Sequence, residues 1–333
     1  MFILGMQWYG KPHYGFGLGR QPFVRAGCRV NTCLTTAVRN RYPLDQLDAL
    51  VWHFRAKDKT LPDHRWPHTR YVFWMMESPQ HLFGDLESYH GLFNWTFTYR
   101  LDSDFPSPYG FVTTRHQEPS VDVAGLVGNK TKLVAWFVSN CASSSGRESL
   151  ARTLHQYLPV DIYGRCGPLS CARSHQTRCY DMLQKNYKFY LAFENSLCRD
   201  YITEKFFSVL EYYVVPVVWG MGNYTSQAPP HSYIDALSFP SVHDLAQYLL
   251  YLDANHTAYM EYFQWKQRQQ VVVGWGSTAV PWCRLCERLH TDTTTKVYHD
   301  LHSWFVVNSS CRSSTDRDIA QYVHGGNKGS RLE

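Results

Sequence analysis

The chain lacks any long hydrophobic run. Its apolar opening, Met1–Met6, is much shorter than the roughly 20 apolar residues that cross a membrane as a helix, so we predict a β-strand there. Charged residues make up only 18% of the sequence, without runs of one sign, which argues against a nucleic-acid-binding tract. The sequence also lacks a G-x-x-x-x-G-K-[ST] motif, which argues against a P-loop ATPase.

The remaining composition fits a globular protein of about two domains. The sequence has 333 residues, of which 44% are hydrophobic and 16% aromatic, so it can bury an ordinary core. The aromatic side chains suit surfaces that stack on sugar rings or bases, and they also suit an aromatic core. The net charge of +5 favours a localised anion site over a track for a polyanion.

Cysteine and asparagine patterns indicate the secretory pathway. Ten cysteines give an even count, and several stand in close sets that predict structural disulfides. These sets are Cys28 and Cys33; Cys166, Cys171 and Cys179; and Cys283 and Cys286. N-x-S/T sequons predict glycosylation at five positions, namely Asn94, Asn129, Asn223, Asn255 and Asn308. We therefore expect a targeting segment to precede this chain in the full-length protein.

Strand-like and helix-like patterns alternate along the chain. The apolar, β-branched and aromatic runs that predict strands are 48–54, 71–76, 93–99, 133–138, 160–163, 189–193 and 214–219. Helices are predicted over 201–213, with Asp200 as N-cap, and over 242–255 and 258–266. This alternation predicts an α/β fold with parallel sheets and helices on both faces. Loop-like composition near residue 125 predicts domains 1–125 and 126–290, followed by a partly disordered tail, 291–333.

The densest polar segment follows the strand at 189–193. A Glu-Asn-Ser loop there leads into a predicted helix, whose amino end attracts phosphate. On that helix Tyr201, Glu204 and Lys205 have the i, i+3, i+4 spacing that places them on one face. A carboxylate can bind a ribose diol and an ammonium can neutralise a diphosphate, although an isolated helix with surface charges has the same pattern.

These residues resemble the α1,3-fucosyltransferases (GT10-type). The resemblance rests on Tyr187–Ser196, Asp200–Lys205 and Val215–Val218. Further motifs follow the family's order, at Glu77–Pro79, Phe93–Asn94, Tyr99–Asp104, Pro108–Gly110, Trp136–Asn140, Val160–Gly164 and Trp282–Cys286. The Cys-Arg-Asp variant that ends at Asp200 is similar to invertebrate members.

The resemblance implies a GT-B fold of two facing Rossmann-like domains. It further implies an inverting transfer of fucose from GDP-fucose to a GlcNAc hydroxyl of glycoprotein N-glycans, by a type II membrane protein of the Golgi lumen. The membrane anchor of such proteins precedes the region that begins here. The innermost GlcNAc of the glycan is the favoured acceptor, and a Lewis-type antenna is the rival.

Individual roles also follow from the resemblance. Glu77 falls on the proposed general base, after an aromatic strand that can desolvate its carboxylate. Arg147 falls on an arginine that contacts the donor phosphates, and with Lys205 it would balance the charge on departing GDP. The other donor-binding positions are Ser139, Asn140, Asn195, Tyr201 and Glu204.

Several alternatives stay open at the level of sequence. Asp102 and Asp104 resemble the metal-binding Asp-x-Asp of other glycosyltransferases, but we favour a structural turn and expect no obligatory metal, with at most stimulation by Mn²⁺. Cys283 and Cys286 have the spacing of a zinc half-site or a redox motif, although structural disulfides are favoured. A catalytically inactive carbohydrate-binding protein of the same fold is the alternative function, and a GT-B enzyme with another nucleotide sugar is a third.

Overall fold

The computed structural model describes residues 1–5, 15–38, 41–55, 62–117, 119–171 and 176–325. Within them the strands, in chain order, are β1 (Phe2–Gly5), β2 (Leu34–Thr36), β3 (Ala49–His53), β4 (Arg70–Met75), β5 (Trp95–Thr98), β6 (Gly110–Thr114), β7 (Lys132–Phe137), β8 (Val160–Tyr163), β9 (Tyr187–Phe193), β10 (Val215–Trp219), β11 (Ile234–Asp235) and β12 (Gln269–Val273). The predicted strands all coincide with observed strands to within two residues at either end.

The described α-helices are α1 (Gln21–Arg25), α2 (Val123–Gly128), α3 (Arg147–His155), α4 (Gln176–Asn186), α5 (Glu204–Leu210), α6 (Tyr224–Gln227), α7 (Val242–Ala254), α8 (His256–Glu261), α9 (Trp275–Thr291), α10 (Leu301–Phe305) and α11 (Arg317–Val323). The predicted helix over 258–266 is wrong in extent, because α8 ends at Glu261 and a separate 3₁₀ turn covers Gln264–Gln267. Among the described residues, no helix is long and apolar enough to cross a membrane.

The chain divides into two compact units. Unit 1 comprises Met1–Tyr109 and Val273–Cys311, whereas unit 2 comprises Gly110–Val272 and the chain from Arg312 onward. This corrects the predicted boundary at residue 125, because the chain leaves unit 1 earlier and returns to it. In the segment 291–333, for which partial disorder was expected, the described part contains α10 and α11.

Unit 1 is built on a parallel sheet with the strand order β2-β1-β3-β4-β5. Buried aromatic residues of the strands, including Trp74 and Phe97, form its core with the returning helix α9. From α9, Trp282 places its ring 5.3 Å from that of Phe97 and stacks on Phe16 at 5.5 Å. Helix α9, which was expected to belong to the second domain, is therefore part of the core of unit 1.

Unit 2 has a parallel sheet with the strand order β11-β10-β9-β7-β8. The chain passes from β7 outward to β8 and then crosses to β9 on the other side of β7. The strand order thus reverses between β7 and β9, and in open α/β sheets ligands bind at the carboxyl ends of the strands at such a switch point. A ligand site of unit 2 is therefore expected at this edge.

All cysteines of the predicted sets form disulfides, but most of these bonds join one set to another or to a cysteine outside the sets. Within one set, Cys171 pairs with Cys179. The other pairs for which partners are assigned are Cys28–Cys283, Cys33–Cys286 and Cys141–Cys166. Cys198 and Cys311 are disulfide-bonded as well. The Cys-x-x-Cys of α9 therefore makes two parallel bonds to the N-terminal segment of unit 1, and neither the zinc nor the redox interpretation fits.

The sequons differ in accessibility. Asn94 is buried, and its amide nitrogen donates to the carbonyl of Lys296 while its oxygen accepts from Arg65. A glycan on that nitrogen would break this network, so the structure argues against glycosylation of a folded Asn94. Of the other sequon asparagines, Asn255 is half-buried. The remaining three, Asn129, Asn223 and Asn308, are exposed.

Candidate functional site

The loops after β7 and β9 are joined by hydrogen bonds at the switch point of unit 2. Ser145 donates from Oγ to the carbonyl of Glu194 at 2.7 Å, and its own carbonyl accepts from Nε1 of Trp219 at 3.0 Å. Ser144 donates from Oγ to the carbonyl of Asn195 at 3.3 Å. These bonds fix the backbone of both loops, so the groups that the loops carry are held in place before a ligand binds.

Arg147 is the first residue of α3 and is 3% exposed. Its Nη1 donates to the carbonyl of Phe193 and its Nη2 to the carbonyl of Asn140, each at 3.0 Å, and its Nε donates to Glu148 at 3.2 Å. The guanidinium thus ties the end of β9 to the loop after β7. The structure brings together the predicted residues Arg147 and Asn140 and gives the arginine a bracing role that sequence did not suggest.

The amino end of α3 has a glycine cap. Gly146 has a positive φ of 72°, and a Cβ at this position would lie 2.7 Å from Cβ of Ser314, so a side chain here would require both backbone strain and movement of a neighbour. The helix begins without a side-chain cap. Its positive dipole end therefore remains suited to an anion.

Glu194 lies directly after β9 and is fully buried. Its Oε1 accepts from the backbone N–H of Thr203 at 2.8 Å, and its Oε2 accepts from Nζ of Lys205 at 3.1 Å. Burial raises the pKa of the Glu194 carboxyl above its usual range, although the charge of Lys205 opposes this change. Burial acts to lower the pKa of Lys205, but the negative charges of Glu194 and Glu204 outweigh burial and raise it. Lys205 is therefore a cation held in a fixed position.

The helix that carries Lys205 begins later than predicted. Thr203 is its N-cap and accepts through its side chain from the backbone of Lys205, while Asp200 lies outside the helix with a φ of 61°. Tyr201 precedes the helix and is 1% exposed, so the shared helical face predicted for Tyr201, Glu204 and Lys205 is wrong. Glu204 does lie close to Lys205, with 3.5 Å between Oε1 and Nζ.

In unit 1, Glu77 follows the carboxyl end of β4. Its Oε1 lies 3.3 Å from Nη1 of Arg55, and the two side chains are 24% and 13% exposed. The phenol of Tyr109 donates to the carbonyl of Met76 at 2.8 Å and so fixes the backbone beside Glu77. The expected apolar surroundings are incomplete, because a cation contacts the carboxylate.

The Asp-x-Asp of unit 1 is engaged in ion pairs. Asp102 pairs with Arg100 at 2.6 Å. Asp104 pairs with Lys296 at 2.7 Å and with Arg288 at 2.9 Å. Burial acts against ionisation, yet the hydrogen bond from Lys296 and the neighbouring Arg288 hold the pKa of Asp104 below its usual range. This geometry supports the structural interpretation of the motif.

A second group of possible metal ligands in unit 1 is better explained by a disulfide. Cys33, Cys286 and His290 place possible ligand atoms within 4.8 Å of one another. Both sulfur atoms, however, belong to the Cys33–Cys286 disulfide, and metal binding by cysteine needs the thiolate.

Sequence reasoning missed Glu194 and Arg55 as individual site residues. A glutamate that directly follows the buried apolar run 189–193 is a detectable signal for Glu194. Arg55 offers no such signal, because its contact with Glu77 depends on the pairing of β3 with β4.

Two Rossmann-like units with parallel sheets, one of which carries fixed cations at its switch point, define an α/β protein of the GT-B class. A crystal structure of an α1,3-fucosyltransferase with GDP-fucose has a similar fold, with a TM-score of 0.58 and 15% identity, over 90% of this chain and 92% of that one. The fold class predicted from sequence is confirmed.

The sequence comparisons give the family. Residues 2–110 match the profile "Fucosyltransferase, N-terminal", and residues 127–304 match "Glycosyltransferase family 10 (fucosyltransferase) C-term". The chain is 41% identical to alpha-(1,3)-fucosyltransferase C of Drosophila melanogaster over 310 residues, which is 86% of this chain and 71% of that protein. It is 38% identical to glycoprotein 3-alpha-L-fucosyltransferase A of the same organism, over 90% of this chain and 60% of that protein. The chain belongs to glycosyltransferase family 10, the fucosyltransferases.

Proposed function

We propose that this chain is an inverting α1,3-fucosyltransferase that moves fucose from GDP-fucose to a GlcNAc hydroxyl of glycoprotein N-glycans. The observation that carries the proposal is the fixed Lys205, which Glu194 holds at 3.1 Å beside the switch point of unit 2. A nucleoside diphosphate gains a further negative charge when its bond to the sugar breaks, and preorganised cations stabilise that charge as it develops. Family membership supports fucose as the transferred sugar.

The donor is assigned to the carboxyl edge of unit 2. Arg147 and Lys205 supply positive charge there, and Glu204 beside Lys205 is suited to accept hydrogen bonds from a ribose diol. The loop residues Asn140 and Asn195 supply polar groups at the same edge. The remaining predicted donor residues are the half-buried Ser139 and the buried Tyr201, and the burial of Tyr201 favours a role in shaping the site.

Glu77 is assigned as the general base. It would take the proton of the acceptor hydroxyl while the oxygen attacks C1 of fucose and the bond from C1 to GDP breaks. Such a base contributes on the order of 10²- to 10⁴-fold to the rate. The reaction needs no obligatory metal in this proposal, since positively charged side chains balance the diphosphate, and we expect activity to persist in EDTA with at most a stimulation by Mn²⁺.

The innermost GlcNAc of the N-glycan is the proposed acceptor. The Cys-Arg-Asp variant and the 38% identity to a Drosophila glycoprotein 3-alpha-L-fucosyltransferase support it. The disulfides and the exposed sequons support a lumenal compartment of the secretory pathway, and the Golgi is the proposed one.

The test compares wild type with Glu77→Gln and with a control variant, Glu87→Gln, which changes an exposed glutamate of the same unit. Transfer is measured by mass spectrometry with GDP-fucose and two acceptors, an N-glycan core glycopeptide and a type 2 antenna. We expect core fucosylation by wild type and by the control, and a loss of about 10²-fold or more in Glu77→Gln with GDP binding retained.

Three other outcomes would contradict parts of the proposed function. Near-normal turnover of Glu77→Gln would remove Glu77 from the mechanism. Transfer to the antenna alone would reverse the acceptor assignment. Binding of GDP-fucose without transfer to either acceptor would favour the inactive carbohydrate-binding alternative.

A further inference from the structure

Arg55 and Glu77 emerge at the same edge of the sheet of unit 1. Strands β3 and β4 are parallel neighbours, with His53 opposite Trp74 in the register. Arg55 follows the end of β3 and Glu77 the end of β4, so strand pairing alone brings their side chains together. Their separation of 3.3 Å is thus a consequence of the sheet and does not depend on a long surface loop.

The arginine is held from more than one side. Its backbone N–H donates to Nδ1 of His53 at 3.2 Å, and the ring of His53 meets that of Trp74 edge-on with 4.5 Å between centroids. The guanidinium lies over the ring of Phe83 at 5.0 Å from its centroid. An exposed ion pair between flexible side chains stabilises little, but this guanidinium is 13% exposed and packed.

We propose that Arg55 is a positioning residue that orients Glu77 for catalysis. This inference rests on the proposed function, in which Glu77 is the general base. A base must be ionised and must present an oxygen in a defined direction. The guanidinium beside Oε1 restricts rotation of the carboxylate, and Phe83 contacts the guanidinium through a cation–π interaction.

The expected effect of losing Arg55 is on the chemical step. Misplacement of a catalytic group by about 1 Å costs on the order of 10²-fold in rate, so we expect Arg55→Met to lower kcat by roughly 10- to 100-fold. The KM for GDP-fucose and the affinity for GDP should not change, because no donor group is altered. Arg55→Lys keeps the charge without the planar group, and it should recover part of the lost kcat.

Arg65→Met is the matched control. Arg65 is also a half-buried arginine of unit 1, which donates to Asn94 at 2.9 Å and lies over the ring of Tyr71 at 4.9 Å. The variant Arg65→Met should lower the thermal stability as Arg55→Met does, but it should leave kcat unchanged. Equal effects of both variants on kcat would mean that Arg55 acts only through the fold, and would overturn the inference.

The double variant Arg55→Met/Glu77→Gln separates this inference from the proposed function. If Arg55 acts through Glu77, the double variant should be no slower than Glu77→Gln alone. A further loss in the double variant, or full activity of Arg55→Met when Glu77→Gln is inactive, would reject the role of Arg55 and leave the base assignment intact. Full activity of Glu77→Gln would instead reject the base itself.

Discussion

Lys205 offers a test of the donor site through stability as well as binding. Lys205→Met removes the cation that lies 3.1 Å from the fully buried carboxylate of Glu194. Removing one partner of a buried ion pair costs about 3–5 kcal/mol, because the other charge is left uncompensated. Lys205 is 22% exposed, and Glu194 keeps its bonds from Thr203. We therefore expect about 2–3 kcal/mol at neutral pH.

The cost should depend on pH in a defined direction. The pKa of Glu194 is already raised by burial, and Lys205 is the main influence that lowers it. Without Lys205 the pKa rises further, so the folded variant favours the protonated carboxyl. Protonation of Glu194 stabilises the folded variant fully at a pH below the pKa of this carboxyl in the unfolded chain. That stabilisation is lost as the pH rises through the higher pKa of Glu194 in the folded variant. The destabilisation of Lys205→Met should thus be small near pH 5 and larger at pH 8.

The assay is urea unfolding at both pH values, together with titration calorimetry for GDP. Lys185→Met, which alters an exposed lysine of α4, is the control and should change neither quantity. Because a neutral pair avoids the uncompensated charge, Glu194→Gln/Lys205→Met should be more stable than Lys205→Met. The double variant should still bind GDP weakly. Additive destabilisation by the two substitutions, or unchanged GDP affinity in Lys205→Met, would refute the reasoning.

Three further predictions concern the fold of unit 1 and the glycans. Asp104→Asn should lower the free energy of unfolding by about 3 kcal/mol at pH 7. The difference in stability from wild type should shrink as pH falls through the lowered pKa of Asp104. A difference in urea midpoint that does not change with pH would contradict this prediction. Removing either disulfide at Cys283 or Cys286 should lower the free energy of unfolding by about 3 kcal/mol, because the remaining bond keeps nearly the same long loop closed. Removing both opens that loop and should lower it by more than twice as much. Additive losses in thermal unfolding would contradict this prediction. Peptide mapping should find glycans on exposed sequons and none on Asn94, and an occupied Asn94 would show that its buried network does not form.

Much of the fold could be predicted from the sequence because its signals are local. Buried parallel strands are runs of apolar and β-branched residues, so β7, β9 and β10 are visible in the chain without knowledge of their partners. The start of α5 was not visible, because Asp200 is as good a capping residue as Thr203 in sequence. Only the bond from Thr203 to the buried Glu194 selects the later start.

The sequence by itself determined the family, the α/β class and the segments that carry chemistry, since a colinear set of motifs and the hydrophobic pattern are properties of the chain. The tertiary structure decided which of those groups meet. The contact of Arg55 with Glu77 follows from the pairing of neighbouring strands, and the burial of Asn94 follows from the return of α9 and the segment after it to unit 1. Such contacts join residues that are far apart in the chain, and no local spacing encodes them.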